Sequence, residues 1–186
     1  MTGKIRIIAG QWRGRKIVVP DRPGLRPTSD RARETLFNWI GPGIVGAQVA
    51  DLFAGSGALG LEAASRGAGQ VTLIERDPAA VQALRDGPLQ WPGGGNTKLV
   101  EADALAWLGG QEEPFDLILI DPPFESALLD EVLARLAERP QYLSGRGLVY
   151  VECSPSQCPE IWPAALEVRK QKRLGQVVLT LLHRSV

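Results

Sequence analysis

The sequence predicts an α/β fold: a mostly parallel sheet with helical crossovers, closed by an antiparallel hairpin at one edge and preceded by a second, basic hairpin. Three observations carry this. From Gln48 onward short apolar runs alternate with helix-length segments, the pattern of strand and crossover. The runs are continuous, as strands buried on both faces require. A glycine-rich turn at Gly55, Gly57 and Gly60 joins the first of those runs to the first of those helices.

Taken in chain order, residues 5–9 and 16–19 flank Gln11-Trp12-Arg13-Gly14 and predict the first hairpin. Residues 20–27, framed by prolines, read as an extended linker, which divides the chain into a basic hairpin and linker, 1–27, and a main domain, 28–186. Ser29 or Asp30 can cap a helix that runs through Ile40, with Ala32, Leu36, Phe37 and Ile40 as its apolar stripe. Strands are predicted at 49–53, 71–75, 98–101, 115–121 and 147–152, with helices at 58–66, 78–85, 104–108 and 128–137 between them. Asp77-Pro78 is a helix start, and Gly67 and Gly87 are helix stops. Residues 165–173 and 176–184 around Gly175 predict the edge hairpin. Pro92-Gly93-Gly94-Gly95 reads as a flexible loop without chemistry.

The 186 residues, 44% hydrophobic and 23% charged, fit one globular domain and exclude a charge-swollen disordered chain. No apolar run approaches the roughly 20 residues that span a bilayer, and the opening Met1-Thr2-Gly3-Lys4 leads into no signal-type segment, so a cytoplasmic protein is expected. Cys153 and Cys158 with a lone histidine, His183, fall short of a zinc site and of a histidine-based triad; no metal is expected. The net charge is zero, which taken whole argues against a nucleic-acid partner. Divided along the chain it does not. Residues 1–35 hold nine bases and three acids, 169–186 hold five bases and no acid, and the middle carries a surplus of acid.

Gly55, Gly57 and Gly60 satisfy G-x-G-x-x-G, with Glu75 at the end of the next strand, where it can accept hydrogen bonds from two ribose hydroxyls. That pattern fits a dinucleotide or S-adenosylmethionine. Asp51, just before the turn, would repel a pyrophosphate but suits a sulfonium and an ammonium, and so favours S-adenosylmethionine. Asp103 can receive the adenine N6 amine. Asp121-Pro122-Pro123-Phe124 follows the fourth strand on the same carboxyl-end rim. It suits methylation of an exocyclic base amine, whose lone pair is delocalised: the Asp121 carboxylate and the Pro122 carbonyl accept its hydrogens, the prolines stiffen that geometry, and Phe124 stacks on the base.

These residues resemble the RsmD-type methyltransferases. The resemblance rests on Arg6-Ile7-Ile8-Ala9-Gly10, on Trp12-Arg13-Gly14-Arg15-Lys16, on the stretch 26–39 beginning Arg26-Pro27-Thr28, and on 51–60 and 121–124. It implies a Rossmann-like class I S-adenosylmethionine-dependent methyltransferase fold with a seven-stranded, mostly parallel sheet and helices on both faces. It also implies transfer of a methyl group to guanine N2 in 16S ribosomal RNA. The cofactor cradle would comprise Asp51, Phe53, Ala54, Gly55, Ser56, Gly57 and Gly60, with Glu75 on the ribose and Asp103 near the adenine, and Arg76 and Ala104 would also bind the cofactor. Asp121, Pro122, Pro123 and Phe124 would hold the guanine, and Arg26-Pro27-Thr28 would lie beside the pocket. Arg6, Arg13, Arg15, Lys16, Arg26 and Arg31 would contact RNA. The segment 88–96, rich in Trp, Pro and Gly, departs from the family's pattern.

The substrate would be the RNA, free or within an assembling small subunit, and the short hairpins offer no obligate dimer interface, so a monomer is expected. Three alternatives stay open on the residues alone: an adenine-N6 methyltransferase using the same DPPF turn, a nicotinamide-dependent dehydrogenase, and a non-enzymatic RNA-binding module. The basic stretch at 169–186 reads either as surface charge or as a further RNA contact.

Overall fold

The computed structural model describes residues 3–19, 29–123 and 126–185. A two-stranded sheet pairs β1 (Gly3–Arg6) with β2 (Lys16–Val19), Ile5 opposite Ile17. There follow α1 (Asp30–Ile40), β3 (Gln48–Asp51), α2 (Ala58–Ser65), β4 (Gln70–Glu75), α3 (Pro78–Asp86), β5 (Thr97–Glu101), α4 (Ala104–Gly109), β6 (Phe115–Ile120) and α5 (Leu128–Glu138). The chain closes with β7 (Leu143–Cys153), β8 (Leu166–Leu174) and β9 (Val177–Arg184). The large sheet has seven strands in the order β5-β4-β3-β6-β7-β9-β8. All neighbours are parallel except β7 with β9 and β9 with β8. The order reverses between β3 and β6, the switch point at which open α/β sheets bind ligands.

Side chains alternate between two apolar layers. Val49, Val71, Leu73, Leu117, Leu119 and Tyr150 share one with α1, α2 and the small hairpin; Ala50, Ile74, Ile118, Ile120, Val149 and Val151 share the other with α4 and α5. Helices thus cover both faces. Local chemistry sets their starts: Ser29 caps α1 at the Ala32 amide, 3.2 Å; Asp77 caps α3 at the Ala80 amide, 2.8 Å; Asp103 caps α4 at the amides of Leu105 and Ala106, both 3.0 Å.

β5 departs from the expected two-sided burial. It is an edge strand with Lys98 and Glu101 exposed, so its apolar residues are only half-covered. Gly67 ends α2 at φ +98°, whereas Gly87 ends α3 at φ −117° and ψ −101°, outside the regions a residue with a Cβ favours, and a Cβ there would stand 3.0 Å from the Ala83 carbonyl oxygen. The edge hairpin forms with β9 inward, between β7 and β8.

The small hairpin is bolted to α2. That helix is buried along all eight residues, Glu62 included. Glu62 Oε2 accepts the Ile8 amide at 2.8 Å and Oε1 the Ala9 amide at 3.0 Å, while Arg66 Nε compensates the charge at 2.7 Å. The Ser65 hydroxyl donates to the Ala9 carbonyl at 2.6 Å and accepts the Trp12 amide at 3.0 Å. Gly10, at φ +83°, is needed here because a Cβ would stand 1.7 Å from the Ser65 carbonyl oxygen. The hairpin turn also meets the segment between α3 and β5: Trp12 Nε1 donates to the Pro92 carbonyl at 2.8 Å, and Arg15 lies 5.3 Å over the Trp91 ring. The loop that read as featureless is the hairpin's seat.

Candidate active site

Four neighbouring strands, β4, β3, β6 and β7, each deliver a carboxylate to the carboxyl end of the sheet: Glu75, Asp51, Asp121 and Glu152. Each acid stands two residues beyond one of the layer-sharing residues Leu73, Val49, Leu119 and Tyr150, so strand alternation puts all four on the same face. Asp51, fully buried, has its carboxyl raised to about 7, first by desolvation and then by the charges of Asp121 and Glu75, against the lowering pull of the Gly60 and Phe53 amides.

The glycine turn fits around Asp51. Asp51 Oδ2 accepts the Gly60 amide at 2.9 Å. A Cβ on Gly60 would lie 2.2 Å from Leu73 Cδ2 and 3.0 Å from that same oxygen, so only glycine lets α2 begin this close to β3 and β4. Gly57, at φ +80°, would set a Cβ 2.7 Å from Leu61 Cδ1. Glu75 braces the turn: its Oε2 accepts the Gly55 amide at 2.7 Å and its Oε1 the Asp77 amide at 2.8 Å. Asp51 Oδ1 is buried without a well-formed hydrogen bond, the Phe53 amide acting on the carboxyl only weakly, and is an acceptor left under-satisfied in an otherwise closed network. A cationic or N–H-bearing ligand group satisfies such an oxygen, and a phosphate does not. The cradle residues therefore fit the sulfonium and ammonium of S-adenosylmethionine better than a pyrophosphate.

Of the other cofactor candidates, Ala54 and Ala104 are buried, Phe53 and Ser56 half-buried, and Arg76 and Asp103 exposed. Asp103 Oδ1 is engaged with the α4 amides, so a ligand amine here would meet Oδ2. In the DPPF turn, Asp121 is half-buried, Pro122 buried and Pro123 exposed, and the Pro123 carbonyl accepts the Ser126 hydroxyl at 2.7 Å. Phe124 and Arg26 lie outside the described residues.

The structure adds Glu152 and Tyr150, which the sequence reading passed over as strand. Glu152 is 4% exposed, and the fully buried Tyr150 hydroxyl donates to its Oε2 at 3.1 Å. Burial first, then the charges of Glu152 and Asp121, push the Tyr150 phenol well above its usual range, so it remains a neutral donor. Burial likewise pushes Cys153 up to about 12, which disqualifies it as a nucleophile. Among the described residues no group of three acids, histidines or cysteines can hold a metal ion, and no helix is long and apolar enough to cross a membrane.

Arg6, Arg13, Arg15, Lys16 and Arg31 are exposed, but they are not brought together at the rim. Arg6 pairs with Asp30 near the start of α1. Arg13 and Arg15 sit in the hairpin turn, against the last residue of α2 and the loop entering β5. That is the amino end of the sheet, opposite the carboxylates and separated from them by the length of α2, about 12 Å for eight residues.

A doubly wound sheet in this order, with a glycine cradle and a rim of carboxylates at its switch point, defines a class I methyltransferase fold, and the solved structure named "Putative methyltransferase yhhF from Escherichia coli" superposes with a TM-score of 0.86 at 46% identity, covering 99% of each chain. Residues 5–183 match the family described as Conserved hypothetical protein 95. The chain is 48% identical over 184 residues to the protein named Ribosomal RNA small subunit methyltransferase D of Escherichia coli K12, covering 99% of this chain and 92% of that one. It is 39% identical over 178 residues to the protein of the same name from Haemophilus influenzae, covering 94% and 91%. The chain belongs to the RsmD family, as its motifs implied.

Proposed function

We propose that this protein transfers a methyl group from S-adenosylmethionine to the exocyclic N2 amine of a guanine in 16S ribosomal RNA, acting as a cytoplasmic monomer on free RNA or on an assembling small subunit. The observation that carries the reading is the convergence of Asp51, Glu75 and Asp121 on one rim, with a buried Asp51 oxygen still to be satisfied. The names of the relatives support the RNA substrate.

The cofactor supplies an electrophilic methyl group on a sulfonium. Asp51 would carry the charge that balances it, Gly55, Gly57 and Gly60 would leave room for it, and Glu75, Asp103, Phe53, Ala54, Ser56, Arg76 and Ala104 would line the nucleoside. Asp121 and the Pro122 carbonyl would accept the two amine hydrogens and so return lone-pair density to nitrogen. The chain's part would be to hold that nitrogen toward the methyl group the cofactor supplies, with the surplus proton of the amine leaving after transfer. No strongly basic catalyst is required, consistent with a chain that has one histidine.

Glu152 supports guanine over adenine. The β6–β7 register pairs Ile120 with Val151, so the next pair is Asp121 with Glu152. Beside its amine guanine presents an N1–H donor, which a carboxylate accepts; adenine presents a lone pair there, which a carboxylate repels. Phe124 would stack on the base, and Arg26, together with the exposed Arg6, Arg13, Arg15, Lys16 and Arg31, would meet RNA phosphates. The test is transfer of labelled methyl from S-adenosylmethionine to small-subunit RNA, followed by nucleoside analysis. N2-methylguanosine in the product, lost in Asp121→Ala while cofactor binding persists, supports the reading. N6-methyladenosine, or wild-type turnover in Asp121→Ala, overturns it.

A further inference from the structure

We infer that β8 is a phosphate-binding strand, which holds the RNA backbone beside the target nucleotide through Lys170 and Lys172, with Arg173 at the strand end. The inference rests on the proposed RNA substrate and adds a surface to it. Six consecutive residues of β8, Glu167 to Lys172, and then Arg173 are exposed, and four of these seven are bases. None of Arg169, Lys170, Lys172 and Arg173 pairs with a carboxylate among the described residues.

Topology brings this charge to the chemical end of the sheet. β9 is antiparallel to β7 and β8 antiparallel to β9, so β8 runs with β7 and finishes, at Leu174, on the rim. Register fixes the face. Glu152 is opposite Leu179, which is opposite Lys172; Tyr150 is opposite Leu181, which is opposite Lys170. Directly paired residues share a face, so both lysines project from the face that carries Asp121 and Glu152. Asp121 and Lys172 end the same cross-strand row, three strand spacings apart, or about 14 Å. A nucleotide whose base reaches Asp121 must carry its phosphates past this strand.

The rim itself, with four carboxylates, repels a polyanion, so the backbone needs cations just outside it. The hairpin bases Arg13 and Arg15 are at the other end of α2 and cannot serve that position. Lysines also guard an edge strand against pairing with other chains, a role in which either sign of charge serves. Phosphate binding requires the positive sign, and that separates the two.

The test compares wild type, Lys170→Gln with Lys172→Gln, and Lys170→Glu with Lys172→Glu. RNA binding is measured across a salt series without methyl donor, alongside cofactor affinity and monodispersity. The reversed pair should bind small-subunit RNA at least tenfold more weakly, and the neutral pair should lower the slope of log affinity against log salt by about 1.4, at roughly 0.7 per single-strand contact. Cofactor affinity and monodispersity should not change. Wild-type RNA affinity and slope in the reversed pair overturn the inference, as does aggregation of the neutral pair with no change in slope. If wild type binds RNA through β8 yet methylates none, the proposed reaction falls while the binding surface stands.

Discussion

The two basic segments of the chain have nearly equal charge and opposite fates. In the first, Arg33 is fully buried with its Nη2 on Asp30 at 2.6 Å and on the Arg6 carbonyl at 2.8 Å, Arg6 itself pairs with Asp30, and Arg15 lies over Trp91. Arg33 and Arg6 are thus engaged in fastening a hairpin whose turn, with Arg13 and Arg15, sits at the amino end of the sheet. In β8 the bases project into solvent toward the carboxyl end, and among the described residues none pairs with a carboxylate. Summed charge is therefore a poor guide to a polyanion footprint; what counts is which cations are already paired and which end of the sheet they occupy.

The contrast breaks first at the chemistry itself. If the carboxyl end is the reactive end, Asp121→Ala lowers turnover by about two to three orders of magnitude, the scale for losing one precisely aimed polar contact to a reacting group; single-turnover methyl transfer measures this. On the other side, Gly10→Ala drives a Cβ into the Ser65 carbonyl and should destabilise the fold by about 1–3 kcal/mol, seen as a lower denaturant midpoint. A variant that melts like wild type would show that the hairpin is not fastened there.

Asp51 gives a pH signature confined to the rim. Its folded carboxyl lies near 7 against an ordinary value of 3.8, so the folded chain binds the proton more tightly than the unfolded one. The contribution of Asp51 to the stability of the ligand-free protein should therefore be greatest below the ordinary value and be lost as pH rises through about 7, a slope that Asp51→Asn removes. Binding of a cationic cofactor needs the ionised form. Affinity should then rise by up to tenfold per pH unit below about 7 and level off above it, with proton release visible by calorimetry in buffers of different ionisation enthalpy. Asp51→Asn should bind weakly with no such slope. The smallest effect is expected at the far end: replacing Arg13, Arg15 and Lys16 by alanine should weaken RNA binding less than reversing the β8 lysines does. A larger loss would invert the comparison.

Periodicity made the strands and helices legible, because each local segment follows one period and the capping residues Ser29, Asp77 and Asp103 mark the helix starts. Position within the sheet was not. Nothing local in residues 97–101 says that β5 is an edge, and nothing local in the last hairpin says that β9 goes inside β8. The glycine turn and DPPF were readable as contiguous motifs. Glu152 was not, since one acid at the end of an apolar run looks like a strand terminus until the register sets it beside Asp121. Glu62 did leave a signal that was passed over: Ala58–Ser65 has no polar face on which to carry a glutamate, so the residue had to be buried against partners. The β8 bases were counted in the sequence, but only the antiparallel return through β9 gives them an end and a face.

The contact of Trp12 with Trp91, ring centres 5.5 Å apart and planes inclined at 70°, makes the seat of the hairpin an optical reporter. Two indoles that close and that steeply inclined couple their electronic transitions, so the pair should contribute an exciton couplet to the circular dichroism spectrum. The other tryptophans, Trp39, Trp107 and Trp162, have no such indole neighbour among the described residues. Loss of the couplet ahead of the main unfolding transition would show the hairpin lifting off α2 as a separate event. A couplet that vanishes together with backbone ellipticity would make hairpin and sheet one cooperative unit, and the spectrum could then be followed as RNA is added.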